Sequence, residues 1–233
     1  MNFTPNISEH GESRLTILTE LIGAVCLFAG LLALSTLLQD VILHFFLLFL
    51  FLGLLTWRLH NSGRKWRDYG LRRPHSLFRT LLRLLCMLLV VNVSINLWGL
   101  PLIEKVVGSR PDLSPFAPIN NNPGQLLFWL FFVWSWAAFG EEMFFRGYLI
   151  TRISQLFPTT SGGTTIGLLA SSLLFGASHL YQGWSGFVLM FLIGLVTGGA
   201  YLVWDRNLWV PILWHGITDT LSIYAIYRGW LQP

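Results

Sequence analysis

Seven times along the chain the sequence returns to an apolar run about as long as a hydrocarbon core is thick. The runs are 15–38, 41–57, 81–102, 125–157, 165–181, 184–204 and 210–227. A bilayer offers no water to backbone N–H and C=O groups, so a single-segment span has to be a helix. The expected fold class is therefore all-α: a polytopic transmembrane helical bundle of about seven membrane-spanning helices, in one integral membrane domain, 1–233. Charged residues make up only 11% of the chain, against roughly 25% in a soluble domain. That leaves no stretch for a soluble domain of useful size.

The net charge of +4 does not point to nucleic acid, because the basic residues sit beside membrane segments. Arg58, Arg64, Lys65, Arg67, Arg72, Arg73, Arg79 and Arg83 all fall in the loop 58–83, which the positive-inside rule makes cytoplasmic. That loop is expected to set topology and to meet anionic lipid. Gly70 and Pro74 mark a turn within it. The break at Gln39 and Asp40 is short enough to make the first two spans an antiparallel hairpin. Glu20 is expected to reach the interface, and His44 to cap or hydrogen-bond. The polar start, Met1 to Arg14, lacks a basic n-region, so no cleaved leader is expected. Cys26 and Cys86 lie in apolar runs and read as small buried hydrophobes. Asn92, Ser94 and Asn96 are placed to hydrogen-bond between helices. Gly194 and Gly198, four residues apart, are assigned to close helix packing.

Ionisable residues well inside apolar runs are costly, at about 3 kcal/mol or more each, and they mark paired or functional groups. Here they occur on three helices: Glu141, Glu142 and Arg146; His179; and His215 with Asp219. Glu142 and Arg146 share a face at i, i+4, as do Phe175 and His179, and His215 and Asp219. Glu141 points about 100° away from Glu142. Measured from the loop 158–164, Glu141 and His179 each lie roughly 23 Å up antiparallel helices, and Asp219 lies about 21 Å in from Asp205. One layer can therefore hold all of them.

The chemistry open to such a layer is water activation. Glu141 is the candidate general base, holding water together with His179. His215 and Asp219 would face the developing oxyanion of a peptide carbonyl, while Glu142 and Arg146 pair and support the geometry. No serine or cysteine stands in a nucleophile context. Ser178 adjoins His179, but adjacent helical residues do not face each other.

The ordered set Glu141-Glu142-x-x-x-Arg146, Phe175-x-x-x-His179 and His215-x-x-x-Asp219 resembles the CPBP family of intramembrane proteases. That family includes type 2 CAAX prenyl endopeptidases and bacteriocin-processing or immunity proteins. The resemblance spans 125–227, the expected catalytic core. Residues 1–124 would supply N-terminal membrane helices, with a Tyr69-Gly70-Leu71-Arg72-Arg73-Pro74 segment similar to one in bacterial members. It implies a glutamic-type endopeptidase acting on membrane-associated peptides or proteins in a bacterial cytoplasmic membrane. Its implied site residues are Glu141, His179, His215 and Asp219, with Glu142 and Arg146 in support. Prenyl-protein members carry Asn where this chain has Asp219, and an ionised Asp cannot donate to an oxyanion. Asp219 would have to be protonated or to orient His215. The expected partners are substrate and lipid bilayer, with no nucleic acid and no cofactor. The alternative cofactor is zinc held by Glu141, His179 and His215. The alternative function is a non-catalytic membrane binding protein, such as a bacteriocin-immunity factor.

Overall fold

The computed structural model describes residues 12–38, 40–157 and 161–231. The first eleven residues, which bear on the absence of a leader, and the centre of the turn at 158–160 lie outside them. No strand occurs among the described residues. The long helices are α1 (Arg14–Leu38), α2 (Val41–Asn61), α3 (Leu77–Val107), α4 (123–156), α5 (Ser161–Ala177), α6 (Gly183–Val203) and α7 (Trp209–Tyr227). α1 and α2 form the expected hairpin. Asp40 caps α2, its Oδ1 accepting from the N–H groups of Ile42 and Leu43 at 2.9 and 3.0 Å.

Among the described residues, four helices are long and apolar enough to cross a membrane: Arg14–Leu34, Ile42–Asn61, Leu77–Val107 and Leu180–Val203. The chain is an integral membrane protein. The count of seven crossings is not reached by this measure. α5 is short, while α4 and α7 carry the charged and polar residues singled out above, which lowers their apolarity.

Three helices differ from expectation for local reasons. α3 continues past 102 because a wide turn, in which Leu100 N–H bonds to Ile95 C=O, absorbs Pro101. It stops at Gly108, whose φ of +87° is the left-handed cap conformation. In α4 the stretch Val133–Leu149 is π-helical, ending with Ile150 N–H on Phe145 C=O. Such widened turns are rare and often coincide with functional sites, and here Glu141 and Glu142 lie closer in angle than α-helical spacing implies. α5 ends at Ala177, so His179 stands in a corner between helices.

The core is aromatic where the hairpin meets α4. Phe28 packs on Phe51, Phe144 and Phe145 at ring distances of 5.3, 5.0 and 5.6 Å. α5 and α6 approach closely at the expected glycines. A Cβ on Gly194 would stand 3.0 Å from Ser172 Cα, and one on Gly198 would stand 2.4 Å from Leu168 Cδ1. Cys26 and Cys86 are exposed rather than buried. In a chain of this composition an outward position is as apolar as an inward one.

Glu20 sits in a buried ion cluster. Its side chain is 8% exposed and is paired with Arg58, Arg64 and Arg152. Glu12 joins the same cluster, 3.0 Å from Arg64 and 2.7 Å from Arg152. The cluster ties α1 to the end of α4.

The basic loop does more than carry charge. Its 3₁₀ turn, Trp66–Tyr69, docks beneath the bundle. Leu208 N–H bonds to Gly70 C=O at 3.1 Å, and Tyr201 Oη donates to Tyr69 C=O at 3.1 Å. Asn207 Nδ2 donates to Arg72 C=O at 2.9 Å, and Arg72 donates to Asp205 C=O. A Cβ on Gly147 of α4 would stand 2.9 Å from Tyr69 C=O, so the helix passes directly over this loop. Tyr69 is fully buried, and burial raises its phenol pKa above the ordinary value of 10.

Candidate active site

The six candidate residues separate into two groups that share a wall. The first is a buried polar chain. Glu142 and Arg146 are 0% and 1% exposed and stand 3.2 Å apart, as their spacing implies. Arg146 is also held by the hydroxyl of Thr197 on α6, to which its Nε and Nη2 donate at 2.9 and 2.6 Å. Its guanidinium lies 4.1 Å over the ring of Phe175, a cation–π contact. Sequence reasoning missed a further link: His215 Nδ1 bonds to Glu142 Oε1 at 2.9 Å, joining α7 to α4. On its other side His215 Nε2 faces Asp219 Oδ2 at 3.3 Å. The first contact is a hydrogen bond, and the second is an ion-pair distance. Asp219 stands beside His215 and is not among the residues that line the cavity of Glu141 and His179.

The second group faces a cavity of about 790 Å³. Glu141 and His179 both line it, together with Phe28, Phe45, Trp136 and Phe144 from the aromatic core. Glu141 Oε2 is buried and bonds to no protein group. His179 Nδ1 bonds to Phe175 C=O at 2.8 Å, so it carries the proton and Nε2 keeps its lone pair. Ser178 Oγ donates to the same carbonyl at 2.8 Å and lies 3.2 Å from His179 Nδ1. The expectation that Ser178 and His179 cannot meet fails because the helix has already ended there. The contact is not that of an activated nucleophile, since the Nδ1 it touches is spent on Phe175. These side-chain bonds to Phe175 C=O also give a reason for the helix end: they take up a carbonyl that the next turn would otherwise use.

Asp40 and His44 line the same cavity from the hairpin. His44 was read as a capping or hydrogen-bonding group, and nothing in the pattern of its own helix signals that it faces Glu141's cavity. Asn92 meets α7 as expected, its Oδ1 accepting from Trp214 Nε1 at 3.1 Å and its Nδ2 donating to Thr218 Oγ1 at 3.2 Å. Asn96 instead donates to Asn92 C=O within its own helix at 2.8 Å.

Zinc on Glu141, His179 and His215 does not fit this arrangement. His215 has its Nδ1 on Glu142 and does not line the cavity that Glu141 and His179 share. Among the described residues no three His, Cys, Asp or Glu side chains are grouped to hold one.

Residues 123–221 match the family model "Type II CAAX prenyl endopeptidase Rce1-like". This part of the chain is similar to that family. The Rce1-like segment holds all six candidate residues and both polar groups just described. The match agrees with the resemblance to CPBP proteases over this segment. Over 86 residues the chain is 36% identical to the uncharacterized protein YpbD of Bacillus subtilis (strain 168). That match covers 36% of this chain and 38% of YpbD, so the chain spans well under half the length of this curated relative. No solved structure matches the chain.

Proposed function

We propose that this protein is an intramembrane endopeptidase of bacterial cytoplasmic membranes. It hydrolyses peptide bonds of membrane-associated peptides or proteins with water activated by Glu141 and His179. The observation that carries the reading is that these two side chains, on different elements, turn unengaged acceptor atoms into one apolar cavity. Glu141 Oε2 has no protein partner, and the bond from His179 Nδ1 to Phe175 leaves Nε2 free. A water held between two acceptors presents its lone pair to a carbonyl carbon and can give its proton to Glu141, the general base. The cavity volume falls in the range of roughly 300–1,000 Å³ used for ligand sites, and its aromatic walls suit an apolar substrate segment.

Glu142, Arg146, His215 and Asp219 act behind the reacting atoms. Their ionic chain fixes α7 against α4, and His215 lends positive potential to the oxyanion. No metal takes part. Comparing the protein termini of membranes that carry the wild type, E141Q or H179A tests the reading. New termini that depend on the wild type and vanish in both variants, at equal abundance, are expected. Identical termini in wild type and E141Q refute it. Turnover lost on chelation and restored by stoichiometric zinc would refute the metal-free part.

A further inference from the structure

The cavity has a sign. Its lining includes two carboxylates, Asp40 and Glu141, and two imidazoles, His44 and His179, but none of the chain's 15 lysines and arginines. With Glu141 assigned to water, Asp40 is the carboxylate left to meet a substrate.

Asp40 stands at the turn between α1 and α2 and is exposed, so the cavity reaches the surface there. Its Oδ1 accepts the two N–H groups that cap α2. A carboxylate has further acceptor sites after two such bonds. An aromatic pair lines the same cavity: the rings of Phe116 and Trp129 are 5.0 Å apart, edge to face. Phe45, on α2, lies 5.8 Å from Trp129 and stacks on Phe132 at 3.9 Å. These contacts hold the first turns of α2 against the first turns of α4, so Asp40 and the aromatic pair share one mouth. A carboxylate beside aromatic faces suits an ammonium or guanidinium group, through charge-assisted hydrogen bonding and cation–π attraction.

The distance from this mouth to the reacting pair follows from the helix register. Phe45 and Phe132 are level, Asp40 lies five residues before Phe45, and Glu141 lies nine after Phe132. At 1.5 Å per residue the two carboxylates are roughly 20 Å apart along the cavity. An extended peptide covers that length in about six residues. The wall between them is apolar, with Phe132 and Trp136 of α4 facing Phe45 and Leu48 of α2.

We infer that the mouth is a specificity subsite for a cationic side chain: a substrate lysine or arginine about six residues from the scissile bond pairs with Asp40 beside Phe116 and Trp129. The residues between them are apolar and lie along the wall. Asp40 is a binding residue and touches no reacting atom. The inference deepens the peptidase proposal and rests on its reading of Glu141 and His179 as the water-activating pair.

The test uses purified full-length protein in liposomes and quenched fluorescent peptides of apolar sequence. Each peptide carries one lysine, norleucine or glutamate at a varied position, and mass spectrometry of the products identifies the cleaved bond. Wild type is expected to prefer lysine to norleucine by about 10-fold or more in kcat/KM, through KM, when that residue is about six from the bond. Asn caps a helix as well as Asp does, so D40N should abolish the preference at an unchanged melting temperature. D40K should turn the preference to glutamate. A lysine preference that D40N retains, one that peaks beside the cleaved bond, or none at all overturns the inference. With E141Q inactive, each of those results leaves the peptidase reading intact. Wild type no faster than E141Q on every peptide overturns both. If D40N folds poorly, the peptide series on wild-type protein decides. Glutamate peptides cleaved as fast as lysine peptides overturn the inference, and the expected lysine preference at that spacing supports it.

Discussion

Gly70 offers a measurement of how firmly the basic loop is docked. Its φ of +101° is a conformation that costs an L-residue about 1–2 kcal/mol. A Cβ there would also stand 2.5 Å from Arg206 C=O and 2.7 Å from Tyr201 Cε2. The first of these neighbours is backbone, so the overlap cannot be relieved by a rotamer change. Overpacking of that kind adds about 1–3 kcal/mol, giving roughly 2–5 kcal/mol for G70A. Gly108 supplies the control. Its φ is +87°, but nothing lies within 4 Å of the added atom, so G108A should cost only the backbone part, about 1–2 kcal/mol. Thermal melts of both variants in the same detergent, scored by loss of the monodisperse folded species, separate the two contributions. G70A should melt several degrees below G108A, using about 2–4 °C per kcal/mol for a chain of this size. It should also expose the 66–73 turn to protease. Equal melting temperatures would mean that the loop is not seated against the 201–208 segment as described.

Three further outcomes follow from the buried polar chain and the loop. E142Q should lower the melting temperature sharply, by about 3–5 kcal/mol, because Arg146 and His215 lose their shared carboxylate. E141Q should leave it nearly unchanged, and the same detergent melts compare the two. T197V should cost about 1–3 kcal/mol in those melts by stripping two donors of the buried Arg146 guanidinium of their acceptor. Tyr69 should make the fold sensitive to alkali. Its pKa is raised in the folded state by burial, so its contribution is intact below about pH 10 and is lost as pH rises through the folded value. Melting temperature recorded against pH should therefore fall more steeply above pH 10 in the wild type than in Y69F.

Much of this was legible from spacing. The runs of apolar residues located the helices, and i, i+4 pairs placed Glu142 with Arg146 and His215 with Asp219 because those contacts are local to a helix. Contacts between helices were not legible. The bond from His215 to Glu142 depends on the rotation of α7 about its axis, set in part by Asn92, and periodicity leaves that rotation open. The end of α5 was misplaced because Thr165 to Tyr181 is largely apolar, while the termination comes from two side chains competing for Phe175 C=O. The partners of Glu20 were not legible for a similar reason, since Arg58, Arg64 and Arg152 lie far along the chain.

The hairpin α1–α2 lies wholly outside the Rce1-like segment, yet Val25, Phe28, Leu32, Asp40, His44, Phe45 and Leu48 all line the cavity. On the proposed reading, chemistry and selectivity have separate addresses along this chain. A chain that kept 123–221 and exchanged its first sixty residues would then keep the proposed means of cutting but meet a different guest. The clamp of Glu12 and Glu20 on Arg152 is the joint at which such an exchange would have to be made.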